Sequence, residues 1–132
     1  MKQDMAFIKL ILQTLADNDN YFMSLDSLAQ QIQTKQNEKQ AFNNKFIGHF
    51  FLAKDANLIA ELGNCFFVGQ QYKQPIPANG GKLRITAQGL EFLDALNNDT
   101  VFHKIKDFSL GIATDIGKDL LKVVICRALG IS

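Results

Sequence analysis

The chain has 132 residues, 47% hydrophobic and 20% charged, with eleven phenylalanines, which fits one domain, is too short for two, and places it in the globular rather than the disordered class. Its net charge of +1 argues against a protein that coats nucleic acid indiscriminately. Lys122 and Arg127 break the longest apolar stretch before the roughly 18 residues a membrane span needs, and Asp4 and Lys9 interrupt any secretory leader, so the chain reads as cytoplasmic with no membrane partner.

In chain order, Met5, Ile8, Leu12 and Leu15 recur at helical spacing, with Phe7 and Ile11 widening the stripe, so a core-facing helix is expected first. The run DNDN then favours a turn, because Asn and Asp side chains bond to nearby backbone. Ser24 stands where its hydroxyl can cap a short second helix that buries Leu25, Leu28 and Ile32. Asn37 and Gln40 resemble a capping box opening a longer third helix over residues 38–56. That helix is expected to bury Phe42, Phe46, Ile47, Phe50 and Phe51 and to present Lys39, Gln40, Asn43, Asn44 and Lys45 on its other side. Asn57 suits the left-handed position that ends a helix.

LIAEL and CFFVG are expected to be strands around a turn at Gly63 and Asn64, and KLRI a third strand. Pro75, Pro77, Gly80 and Gly81 make residues 70–81 a projecting hairpin tip. Thr86 caps a fourth helix that turns Leu90 and Leu93, with Phe92 and Leu96, inward. VFHKIKDF gives a short helical turn, and Ser109 caps a last helix to about residue 129 with Ile112, Ile116, Leu120, Val123 and Val124 on a broad apolar side.

The expected class is α+β, mostly α. The order helix, helix, helix, hairpin, helix is that of a winged helix-turn-helix domain over residues 1–98, with a C-terminal helical extension over residues 99–132 packing on the same domain or on a dimer partner. MKQDMAFIKLIL, GHFFLAKDANLI and LRITAQGLEFLDALNNDTVFHKIKD resemble a prophage-associated winged-helix family of the YjcQ-like kind, a domain of unknown function. The similarity is most specific at Thr86, Gly89 and the turn from Asn98 to Thr100, while Asn57 stands where the family usually has glycine. It implies a phage or mobile-element protein with a DNA-binding type of fold, and no assigned activity.

Charge is uneven. Residues 35–84 carry seven basic residues (Lys35, Lys39, Lys45, Lys54, Lys73, Lys82 and Arg84) against Glu38, Asp55 and Glu61. Asn and Gln can pair with adenine, and Lys with guanine or phosphate, so Lys39, Gln40, Asn43, Asn44 and Lys45 are candidate DNA contacts, against the alternative of an ordinary solvated face. Lys73, Lys82 and Arg84 are candidate phosphate contacts of the wing, with Tyr72 beside them. Ile112, Ile116, Leu120, Val123 and Val124 are a candidate dimer interface, with packing on the chain's own core the equal alternative. Low net charge and the lack of arginine on the third helix leave open a module that engages a host protein. His49 is expected to be a hydrogen-bonded structural residue and His103 a surface one. No Ser-His-Asp set, paired carboxylates or phosphate loop supports catalysis, so no cofactor is expected, and Cys65 and Cys126 read as free thiols.

Overall fold

The computed structural model describes residues 2–67, 71, 73, 75–78 and 80–130. Helix α1 (Met5–Ala16) is the hub: Asp4 caps it by accepting the amides of Ala6 and Phe7, and the expected apolar stripe is buried against the next three helices and the sheet. Strand β1 (Met23–Ser24) leads into α2 (Leu25–Gln36), whose N-cap is Ser24, its hydroxyl accepting the Ser27 amide.

The third helix departs from expectation. Asn37 does not open it; it closes α2 in the left-handed conformation, φ 52°, with its amide bonded to the carbonyls of Gln33 and Thr34. Helix α3 runs Asn44–Asp55, and its cap is Asn43, whose side-chain oxygen accepts the Phe46 amide at 2.8 Å. The pattern Asn37/Gln40 mimicked a capping box, but an asparagine suits the end of a helix equally well, and a second asparagine six residues later provides the start. Phe42 consequently belongs to the turn, edge-on to Phe46 and Phe66.

Four strands follow: β2 (Ile59–Leu62), β3 (Phe66–Phe67), β4 (Ile76–Pro77) and β5 (Lys82–Ile85). Strand β2 pairs with β5, not with β3, giving an antiparallel sheet ordered β1-β5-β2, while β3 and β4 form their own antiparallel pair. The described part of the segment expected to project therefore contains an inner ribbon, with the Ala78 amide bonded to the Cys65 carbonyl at 2.8 Å. Phe66 turns this ribbon back onto the third helix, its ring 5.1 Å from Phe50 and 5.3 Å from Phe51. Proline is tolerated in β4 because that strand is the edge of a two-stranded ribbon.

Thr86 caps α4 (Ala87–Leu96) and also ties it to the end of α3, its hydroxyl donating to the Asn57 carbonyl at 2.7 Å. Gly89 is required by close approach: a Cβ there would fall inside contact distance of the Leu58 carbonyl oxygen and of Ile85. Leu90 is exposed, unlike Phe92, Leu93 and Leu96, because the helix turns it outward. Helices α5 (Asp99–Ile105) and α6 (Leu110–Ala128) complete the chain, with α6 packed along α4 and α5. The Ser109 hydroxyl makes no cap; the Gln3 side chain instead accepts the Leu110 amide at 3.0 Å. The α+β class, mostly α with a small antiparallel sheet, is as expected. Among the described residues no helix is long and apolar enough to cross a membrane.

Candidate nucleic-acid interface

Helix α3 is held at both ends by an ion pair that uses one of its lysines. At its start, Lys45 Nζ lies 3.0 Å from Asp4 Oδ2 and 4.9 Å from the centre of the Phe7 ring. Burial alone would raise the Asp4 pKa, but the hydrogen bond and charge of Lys45, with the amides of Phe7 and Ala6, bring it below its ordinary value. At its end, Lys54 Nζ lies 2.6 Å from Glu61 Oε1 on β2, and Glu61 Oε2 accepts the Cys65 amide at 3.1 Å. Here too burial opposes ionisation, and the Lys54 bond and the Cys65 amide prevail, holding Glu61 below the usual range. Cys65 itself is buried, and burial together with the neighbouring Glu61 charge pushes its thiol up to about 12, which keeps it protonated at neutral pH.

His49 anchors the inner face of α3. It is fully buried, its Nε2 accepts the Asp4 amide at 2.9 Å and its Nδ1–H donates to the Lys45 carbonyl at 2.7 Å. These partners fix the neutral Nδ1–H tautomer, and burial holds the pKa below its ordinary value. The role is the structural one expected.

The side of α3 opposite Phe46, His49, Phe50 and Ala53 carries Asn44, Gly48, Phe51 and Asp55 at helical spacing. The expected polar row of five is corrected accordingly. Lys39 and Gln40 are exposed but lie in the turn before the helix, because α3 starts later; Asn43 is consumed as its cap; Asn44 is exposed in its first turn; Lys45 is paired. Asn44 and Lys45 share a cleft of about 890 Å³ with Lys2, Asp4, Lys106 and Asp107, where α1 and α3 both begin. Sequence spacing could not reveal that neighbourhood, nor the pairing of Lys54 with Glu61, since the partners come from separate elements.

On the sheet, Lys82 and Arg84 share the outer face of β5 by alternation. Lys82 is exposed and registered between Ser24, the cap of α2, and Leu62. Arg84 is half-buried, its guanidinium 3.4 Å from the Ile85 carbonyl, in a cleft with Asp19 and Tyr21. Lys73 is exposed, and Tyr72 lies outside the described residues. His103 is exposed, as expected. Among the described residues no His, Cys, Asp and Glu group could hold a metal ion, and both cysteines are free. The site thus offers dispersed cations, Lys39, Lys73 and Lys82, around a helix whose own lysines are paired. No protein-family model, no curated protein and no solved structure matches the chain.

Proposed function

We propose that the chain is a winged helix-turn-helix protein of phage or mobile-element type that binds DNA and regulates transcription. The observation that carries this reading is the sheet order β1-β5-β2, with β1 against α2, β5 against α1 and β2 against α3, the arrangement a winged helix needs to present its third helix and its hairpin to one duplex. In this reading the turn before α3, with Lys39 and Gln40, and Asn44 at the start of α3 meet the duplex, and Lys82 contacts backbone phosphate beside the start of α2. Surface ion pairs contribute only about 0–1 kcal/mol, so Lys45 can exchange the half-exposed Asp4 for phosphate at little cost, whereas the mostly buried Glu61 holds Lys54 more firmly.

The test is fluorescence anisotropy with random and prophage-operator duplexes at about 50 mM salt. Lys39→Ala and Lys82→Ala are expected to weaken binding to all sequences alike, and Arg84→Ala, whose guanidinium is half-covered, to do so less. No binding of any duplex at low salt refutes the proposal.

A second reading, a module that engages a host protein, is favoured by one observation: both α3 lysines are paired, and its outward line holds Asn44, Gly48 and Asp55 rather than free cations, with Phe51 half-covered by Phe66. Stoichiometric recovery of one host protein, reproduced with purified partner and lost in the exposed-site variant Asp55→Lys, supports it; retention of DNA alone counts against it.

A further inference from the structure

Helix α6 changes character along its length. Leu110, Ala113 and Gly117 are buried, and the missing side chain at Gly117 lets the helix lie against Phe92, Ala95 and Ile105. Beyond Gly117 no described residue of α6 is fully buried. Leu120 and Val124, like Ile116 before them, only lean on the chain's own core, which removes these three from the interface expected from sequence. Ile112 is 52% exposed, Val123 and Ile125 46%, and Leu129 69%. From Leu120 onward the helix is apolar around its circumference except at Lys122 and Arg127, a pattern that belongs to a covered helix.

The charges indicate what covers it. Asp115, Asp119 and Lys122 are exposed on the side opposite the buried line, with no ion-pair partner among the described residues. Two copies of α6 crossing antiparallel about the midpoint between Leu120 and Leu121 place Asp119 of each against Lys122 of the other, twice over, with Ile112 and Leu129 closing the ends of the same face. A parallel pairing in register would oppose Asp119 to Asp119 and Lys122 to Lys122. With Asp115 and Asp119 against Lys122, and Lys118 paired to Glu91, this face has no net positive charge to hold an anionic lipid surface. We infer that the outward face of α6 is the contact of a homodimer with a two-fold axis at that midpoint, an isologous and closed interface. It stands apart from the DNA-binding reading, since mass alone tests it.

Sedimentation equilibrium of the full chain is expected to give a dimer at micromolar concentration. Asp119→Lys and Lys122→Asp, each placing like charges together, are expected to raise the dissociation constant at least about tenfold. The double reversal D119K/K122D is expected to restore the dimer, and Leu129→Glu to weaken it independently. All three sites are exposed, and unchanged far-ultraviolet circular dichroism checks that the fold persists. A wild-type chain that stays monomeric overturns the inference, whether or not it binds anionic vesicles. So does a dimer that ignores the single reversals, or one that the double reversal fails to restore.

Discussion

Acidification should expose the structural role of His49 before any carboxylate titrates. The folded imidazole accepts the Asp4 amide through Nε2, and a proton on that nitrogen would face an N–H donor in a site from which water is excluded. The groups around it are Asp4, whose charge favours protonation, Lys45, whose charge opposes it, and Phe7, 5.0 Å away ring to ring. Burial is the largest influence and keeps the folded pKa below the ordinary 6.5. As pH falls through about 6.5 the unfolded chain takes up a proton that the folded chain resists. The stabilisation is therefore complete above that pH and declines below it, by up to about 1.4 kcal/mol per pH unit, until the folded imidazole is itself protonated. Urea unfolding followed by circular dichroism between about pH 7.5 and about pH 5.5 should show this decline in the wild type. His49→Gln should be less stable by about 1–3 kcal/mol at neutral pH, through imperfectly satisfied buried partners, and should show a smaller decline. Equal pH slopes in the two proteins would refute the reasoning. Asp4 and Glu61, held below their usual 3.8 and 4.5, keep their contribution down to lower pH and lose it as pH falls through their folded values, so the two windows separate.

Gly89→Ala should destabilise by about 1–3 kcal/mol in thermal unfolding, although alanine favours helix by about 1 kcal/mol; a neutral or stabilising result would show that α4 can shift away from Leu58. Phe66→Ala should cost about 3–5 kcal/mol and release the inner ribbon from Phe50 and Phe51. Its reading is the labelling rate of Cys65 by a thiol reagent, slow in the wild type and faster in the variant; a rate unchanged in Phe66→Ala would mean that the ribbon is held elsewhere.

The helices and the caps at Ser24 and Thr86 were legible in the sequence because each depends on residues within one or two turns. Asn57 was equally legible: a left-handed helix end, φ 62° in the structure, is a property of one residue. Asn37 shows the limit of such local reasoning, since the same side chain can close one helix or open the next, and the choice rests on Asn43 and on where Phe46 meets the core. The pairing of β2 with β5 was not legible, because CFFVG is nearer in sequence and equally strand-like. What decides it is burial of Leu83 on the core face of β5 and of Phe66 against α3. Strand β1, two residues long, carries too little pattern to be read at all. Among candidate contact residues, exposure at Lys39, Asn44, Lys73 and Lys82 agrees with expectation, whereas the partners of Lys45 and the covering of Arg84 arise from residues far along the chain.

That division of the cations gives the DNA-binding reading a quantitative test. If binding uses only the exposed Lys39, Lys73 and Lys82, three phosphates are neutralised and log K should fall with log salt at a slope of about −2.7. If Lys45 and Lys54 leave Asp4 and Glu61 to join them, five are neutralised and the slope steepens to about −4.5. Asp4→Asn and Glu61→Gln release the two lysines without adding charge to the duplex-facing side beyond theirs. In the first case these variants should bind more tightly and steepen the slope toward the second value; in the second they should raise affinity with little change in slope, since the lysines are already on phosphate. A slope near zero, with or without the variants, would mean that phosphate contacts do not drive binding, and would favour the reading in which this face meets a protein partner.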